Sequence, residues 1–97
     1  MAVIVTSTWV RPNTGVDWYV ASDLESAYIK TNFRDNGKIS TAVTYSNDEL
    51  TRTSVAIYPN DAARNEWKAD STLRNFKNNR DTYCNNNSIS KSISLSS

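Results

Sequence analysis

The chain has no histidine, a single cysteine (Cys84), two glycines and two prolines among its 97 residues. A lone thiol cannot form an intramolecular disulfide, and no Cys/His cluster for zinc exists without histidine, so we expect neither a metal nor a cofactor. Eleven basic residues against ten acidic ones leave a net charge of +1, with neither sign in a long block. Nothing in this balance favours nucleic acid or an anionic membrane as a partner.

Long apolar runs are also missing from the sequence. None approaches the ~20 residues of a membrane-spanning helix. Met1 leads directly into an apolar stretch that starts at Val3, without a basic region or cleavage signal. We therefore expect a protein that is neither secreted nor membrane-bound, located in the cytoplasm.

The length supports one domain over residues 1–97, because domains cluster near ~100–150 residues. Only 38% of the residues are hydrophobic. A chain of this size buries roughly two-thirds of its unfolded surface at best, so its core is modest and self-association would add stability. A homodimer or a larger assembly is therefore the expected partner arrangement.

Four segments show the period of two that is typical of strands. The clearest runs from Ser88 to Leu95, where serine alternates with other residues. The others are Val3 to Val10, Ile39 to Tyr45 and Leu50 to Tyr58. A turn cluster from Arg11 to Gly15 ends the first strand.

Two helical regions separate these strands. Ser22 and Glu25 form a capping box that predicts the start of the first helix, and Asn36-Gly37 predicts its end. Its predicted inward face is Leu24, Ala27, Tyr28 and Thr31. The second region shows a shift of phase near Asp70-Ser71, which predicts a break with a new cap. Its predicted stripe is Ala62, Ala69, Leu73, Phe76 and Tyr83.

The order strand, helix, strand, strand, helix, strand predicts an α+β protein with a ferredoxin-like βαββαβ arrangement. Its four-stranded antiparallel sheet would carry both helical regions on one face. The residues expected to face the helices are Val5, Trp9, Val43, Tyr45, Val55, Ile57, Ile89, Ile93 and Leu95. The residues expected on the other face are Thr6, Thr8, Ser40, Ala42, Thr44, Ser54, Ala56, Ser90, Ser92 and Ser94.

The second face of the sheet has three interpretations. It could be solvated, as one side of an antiparallel sheet often is. It could be a sheet-to-sheet dimer contact, in which small side chains let two faces approach. A base-stacking platform for RNA would need aromatic residues, and only Tyr58 qualifies, so we do not expect nucleic acid. The candidate interface residues are Thr6, Thr8, Ala42, Thr44, Ser54, Ala56 and Ser92.

The candidate catalytic chemistry is sparse, and we assign no catalytic residue. Asp17 and Asp23 flank two aromatics, but spacing alone does not make them converge, and caps or turns explain them. The three tryptophans could line an aromatic pocket, although packing in the core or at an interface explains them better. Cys84 lies near a helix C-terminus, where the helix dipole disfavours a thiolate.

The order of elements and the passage from Ile57 to Ser71, with its aromatic strand end, short helix and break, resemble the dimeric α+β barrel superfamily of antibiotic-biosynthesis monooxygenase-like proteins. Trp67 matches the tryptophan of the heme-degrading branch, but Lys77 stands where that branch needs a histidine, which excludes heme degradation. The resemblance implies a cofactor-free enzyme or a small-molecule-binding protein. Its candidate pocket would be Tyr45, Arg52, Asn65 and Trp67.

The segments Arg11 to Thr14, Leu50 to Val55 and Arg80 to Tyr83, with the terminal Ser-Ile-Ser pattern, resemble short uncharacterised proteins of marine tailed phages, including cyanophages. This resemblance implies a small viral protein in the host cytoplasm during infection and in the virion. We therefore expect a non-enzymatic virion structural or assembly component that acts as a homodimer or with other virion proteins. The alternative is the monooxygenase-like enzyme or binding protein, which a closed cavity with inward-pointing pocket residues would favour.

Overall fold

A computed structural model describes residues 1–96. Within them, four strands form one antiparallel sheet in the order β2-β3-β1-β4, accompanied by three helices. The sequence prediction of an α+β protein with a four-stranded antiparallel sheet is confirmed. The elements are β1 (Val3–Val10), α1 (Asp23–Ile29) with a π-helical continuation (Lys30–Arg34), β2 (Ser40–Tyr45), β3 (Thr51–Tyr58), α2 (Asp61–Ala69), α3 (Ser71–Asn86) and β4 (Ser90–Ser96).

Helix α1 begins at the predicted cap but presents a different face from the predicted one. Ser22 Oγ accepts a hydrogen bond of 3.1 Å from the backbone N–H of Glu25, as expected. Leu24 is 73% exposed, whereas Phe33 is 2% exposed. In the π-helical continuation the backbone N–H of Asp35 donates to the carbonyl of Lys30, five residues back. The predicted face is already wrong in the first turn of α1, before this wider turn, because Glu25 is buried there and Leu24 is not.

The predicted break in the second helical region is confirmed at Asp70. Its backbone is extended, with ψ of 117°, so α2 ends there and α3 starts at the next residue. Asp70 Oδ1 accepts a hydrogen bond of 2.9 Å from the N–H of Leu73, which caps α3. On α2 the predicted inward position, Ala62, is exposed, and the next residue, Ala63, is buried instead.

Strand β3 has the opposite phase to the one predicted. Ser54 and Ala56 were expected on the face away from the helices, but they lie on the helix-facing side, opposite Ser7 and Val5 of β1. The reason is Tyr58, which is 2% exposed and belongs to the main core cluster. Alternation along the strand then turns Val55 and Ile57 away from the helices.

The core lies between the sheet and the helices and has two parts. The larger cluster joins β1, β3 and all three helical regions, and consists of Val3, Val5, Phe33, Ile39, Tyr58, Ala63 and Leu73. The smaller cluster is Trp9, Cys84 and Ile89, with Val16, Trp18 and Tyr83 packed against it. Among residues 1–96, no helix has both the length and the apolar character needed to cross a membrane.

Strand β4 is only partly covered. Ile89, just before the strand, is buried, as the sequence predicts. Ile93 and Leu95 share the helix-facing side with Trp9, since their register partners are Ser7 and Val5. Leu95 is nevertheless 62% exposed, so the expectation of a buried position is wrong. The strand lies at the edge of the sheet, where the helices leave its last residues uncovered.

Candidate functional site

The face of the sheet that points away from the helices carries no charged side chain within the described strands. We call it the open face. Pairing register and alternation assign its members from all four strands. They are Ile4, Thr6, Thr8, Val10, Ser40, Ala42, Thr44, Thr51, Thr53, Val55, Ile57, Ser90, Ser92, Ser94 and Ser96.

The open face is apolar toward one end of its two central strands, β3 and β1, and hydroxyl-rich at its β4 edge. Ile4 pairs across the strands with Ile57, and Val55 stands opposite both Thr6 and Ala42. Ile57 is 41% exposed. Edge strand β4 contributes only serines to this face. A face of small hydroxyl and apolar side chains differs from an ordinary solvated sheet surface, on which polar and charged side chains are expected.

Most of the predicted interface residues lie on the open face. The register places Thr6, Thr8, Ala42, Thr44 and Ser92 there together. It does not bring Ser54 and Ala56 to them. The sequence interpretation did not place Val55 and Ile57 on the open face. Tyr58, an aromatic residue at the end of the same strand, would have indicated the correct phase, because residues at odd spacing from it point to the opposite side.

A second grouping surrounds Trp9 at the other surface of the sheet. Trp9 is 7% exposed, and its neighbours across the strands are Arg52 on β3 and Lys91 on β4. Helix α3 adds Arg80. The Arg52 Cζ, Lys91 Nζ and Arg80 Cζ atoms lie 5.2, 5.5 and 5.7 Å from the centroid of the Trp9 ring. We call these four residues the Trp9 cluster.

The positive charges of the Trp9 cluster have few partners. Arg52 Nη1 donates a 2.9 Å hydrogen bond to the carbonyl of Tyr19. Within residues 1–96, the Nε atoms of Arg52 and Arg80 are buried without a hydrogen-bond partner. Burial first, and the nearby positive charge of Arg80 second, lower the pKa of Lys91 from 10.5 to about 8.

Two spaces border the Trp9 cluster, and Cys84 lines both. One is a cavity of about 10 Å³ between Trp9, Trp18, Tyr19, Arg52, Arg80 and Cys84. Such a volume admits at most about one water molecule. The other is an open groove of about 390 Å³ along α3 and β4, lined by Lys77, Asp81, Cys84, Asn85, Ile89, Ser90, Lys91 and Ile93.

The thiol of Cys84 is poorly suited to nucleophilic chemistry. Burial raises its pKa, and the surrounding cations only partly offset that effect. Asp81 is also engaged, because its Oδ2 accepts a 2.8 Å hydrogen bond from Lys77 Nζ. In the part of the chain that the structure describes, no group of three or more His, Cys, Asp or Glu side chains is placed to hold a metal ion.

The candidate pocket residues fall into separate regions. Tyr45 and Arg52 are neighbours across β2 and β3. Trp67 instead packs edge-on against Phe33 and Tyr58, with ring centroids 5.1 and 6.0 Å apart, inside the larger core cluster. Asn65 is exposed on α2. The structure therefore brings together Tyr45 and Arg52 but not the other two.

The remaining acidic residues considered in the sequence take part in structural contacts. Asp17 offers its backbone carbonyl to the Tyr83 hydroxyl at 2.7 Å, and Asp23 lies in the first turn of α1. The buried Glu25, which sequence reasoning assigned only to a cap, accepts a 2.8 Å hydrogen bond from the Tyr19 hydroxyl. That contact explains why a carboxylate is tolerated at a buried position.

Comparison with known proteins gives one distant likeness. No family model and no curated protein matches the chain. Among solved structures, the chain is similar to the crystal structure of an amidohydrolase/peptidase from Burkholderia cenocepacia, with 14% identity and a TM-score of 0.37. The match covers 99% of this chain but 27% of the other chain.

Proposed function

We propose that this protein is a non-enzymatic structural or assembly component that self-associates through the open face of its sheet. The observation that carries the proposal is the charge-free surface of the four strands, with Ile4, Val55 and Ile57 on its two central strands toward one end. In a two-fold symmetric dimer each patch meets its own copy, so like charges on it would face each other. A face without charges avoids that repulsion.

The contrast with the rest of the surface supports this interpretation. Helices α2 and α3 carry exposed charged residues such as Glu66, Lys68 and Arg74. Long charged side chains are a common protection against unwanted contact between sheets. The chain uses them freely on its helices and omits them from the open face, which favours a protein partner for that face.

The size of the open face indicates a dimer of modest affinity. Four strands about 4.8 Å apart and about seven residues long, at ~3.3 Å per residue, cover on the order of 450 Å². Stable interfaces bury about 800 Å² per partner. Ile93 and Leu95 are exposed at the β4 edge on the opposite, helix-facing side, so a second contact through them would build a larger assembly.

We further propose that the arrangement is the ferredoxin-like one of the monooxygenase-like dimeric barrels. Its support is the chain order of elements, the central position of β1 and β3, and the placement of helices on one side only. A phage origin and a virion location rest on the resemblance of the three short segments. Two of these segments meet in the fold, since the N–H of Arg11 donates to the carbonyl of Leu50 at 2.9 Å.

The alternative role, a small-molecule-binding protein or enzyme, requires Trp67 and Asn65 to converge with Tyr45 and Arg52. The contacts described above separate them, and the cavity beside Arg52 measures about 10 Å³. The geometry therefore supports the structural role better.

The test of self-association compares two adjacent residues of β2. Ala42 lies on the open face, whereas Val43 points to the helix side and is also exposed. Ala42→Lys places a charge inside the proposed contact, and Val43→Lys is the matched control. Sedimentation should be measured from micromolar to millimolar protein. We expect wild type and Val43→Lys to dimerise and Ala42→Lys to remain monomeric. A monomeric wild type over the whole range, or equal association of both variants, would refute the proposal.

A further inference from the structure

We propose that the Trp9 cluster is a binding site for a small dianionic oxyanion, of the phosphate or sulfate type, held by Arg80 and Lys91 with Arg52 adding to the positive potential. Three cationic groups lie within 6 Å of one ring centroid. The site lies on the opposite surface of the sheet from the open face and is independent of the proposed dimer.

The cations gather at Trp9 because of strand register and helix placement. Alternation puts Arg52, Trp9 and Lys91 side by side on neighbouring strands, all facing α3. Arg80 then lies one helical turn before Cys84, which is buried against the same ring in the smaller core cluster. Attraction of a cation to the face of an indole explains one or two such contacts, but each added cation repels the others.

Carboxylates of the chain offset this charge only in part. Elsewhere in residues 1–96, Lys30, Lys38 and Lys77 each form a salt bridge. Arg80 and Lys91 form none in that part of the chain. Asp81, which attracts both Lys91 and Arg80, is itself hydrogen-bonded to Lys77. The site thus has an excess of positive charge that a dianion would balance.

Hydrogen-bonding capacity is also left over. The Nε atoms of Arg52 and Arg80 are buried and unpartnered among the described residues, which is costly unless a ligand or water accepts from them. Guanidinium groups suit oxyanions because their N–H donors form a planar fork. The cavity of about 10 Å³ beside Arg52 and Arg80 has room for at most about one water molecule, so the anion itself would lie in the open groove beside Lys91, with such a water linking it to the guanidinium groups.

The first experiment titrates the full chain with inorganic phosphate, and separately with sulfate, against sodium chloride of equal ionic strength. Two-dimensional NMR of ¹⁵N-labelled protein should show saturable shifts confined to the Trp9 indole, Arg80 and Lys91. A tighter response to methyl phosphate than to inorganic phosphate would point to a phosphorylated metabolite as the source of the group. Shifts that follow ionic strength alone, or spread over the surface, would overturn the proposal.

The second experiment uses matched variants on α3. Arg80→Gln should weaken phosphate binding at least tenfold, whereas Arg74→Gln, an exposed arginine on the same helix, should leave it unchanged. Arg80→Lys keeps the charge without the fork and should give intermediate affinity. It also provides a folded comparison if Arg80→Gln does not fold. Equal affinity in all the variants would overturn the assignment of this site.

Discussion

The hydroxyl of Tyr28 donates a 2.7 Å hydrogen bond to Oδ2 of Asp70, which joins the first helix to the break between α2 and α3. The other oxygen of Asp70 caps α3 through the N–H of Leu73. Burial by itself raises the pKa of Asp70, but the hydrogen bonds from Tyr28 and the backbone outweigh it and lower the pKa below 3.8. One carboxylate thus fixes both the start of a helix and its position against another.

Replacement of Asp70 should therefore destabilise the protein at neutral pH. Asp70→Ala loses a helix cap, at about 0.5–2 kcal/mol, and the Tyr28 hydrogen bond, at about 1 kcal/mol. Asp61→Ala, at an exposed position in the first turn of α2, is the control and should cost much less. Because the folded-state pKa is lowered, this stabilisation is present above pH 3.8 and is lost as the pH falls through the folded value. Urea unfolding at neutral and acidic pH measures both effects.

The lowered pKa of Lys91 predicts a second rise of stability with pH, in an alkaline window. Between about 8 and 10.5 the unfolded chain binds more protons at this residue than the folded one, so its contribution to stability should rise with pH across that window. The raised pKa of Cys84 acts against it, because the unfolded thiol ionises first above 9.

Comparing wild type with a Lys91 variant isolates the contribution of Lys91 to the pH dependence of stability. The melting temperature of wild type minus that of Lys91→Gln should increase from pH 8 to pH 10.5, and the exposed Lys68→Gln is measured alongside as the control. A constant difference for both variants would show that Lys91 titrates normally.

Burial predicts unequal roles for the apolar residues of the C-terminal segment. Ile89→Ala removes a buried side chain and should cost about 2–5 kcal/mol of unfolding free energy. Leu95→Ala changes a largely exposed position and should cost well under about 1 kcal/mol in the monomer. Deletion from Ser88 onward removes the whole of β4 from beside β1 and should lower the melting temperature severely. An unchanged melting temperature would contradict the observed pairing.

The phase of β3 can be tested with one substitution at two sites. Ala56→Leu inserts bulk beside the larger core cluster and should cost about 1–3 kcal/mol. Ala42→Leu adds the same bulk on the open face and should change the stability of the monomer by less than about 0.5 kcal/mol. Chemical denaturation at low protein concentration distinguishes the two. Equal costs would contradict the register of β2, β3 and β1.

Local sequence signals predicted the elements well because they act within a few residues. The alternation of Ser88 to Leu95, the Ser22 cap and the break at Asp70 were all readable in that way. The faces were harder to predict. Hydrophobicity alone favoured Val55 and Ile57 as inward residues, whereas the packing of Tyr58 decided the phase of the strand. Which side of a strand is buried depends on distant helices, and a local pattern does not contain that information.

For the candidate sites too, the features set by local sequence could be predicted and those set by distant packing could not. Five of the seven proposed interface residues share one face because strand alternation is local. The Trp9 cluster could not be predicted, since Arg52, Arg80 and Lys91 become neighbours of Trp9 only through the register of three strands and the position of α3. The sequence did contain one indication. Once the neighbouring strands are aligned, strand alternation places Arg52 and Lys91 on the same side of the sheet as Trp9.

Because Cys84 is buried, the rate at which its thiol is chemically modified reports local opening of the fold. Cys84 lies between α3 and Trp9 at the wall of the open groove and is 6% exposed, so a thiol-reactive reagent should react slowly with it until the helix separates from the sheet. It is the sole cysteine of the chain, and the modification rate therefore reads a single event without labelling or mutation. In the limit of rapid reclosing, that rate gives the free energy of detaching the C-terminal helix.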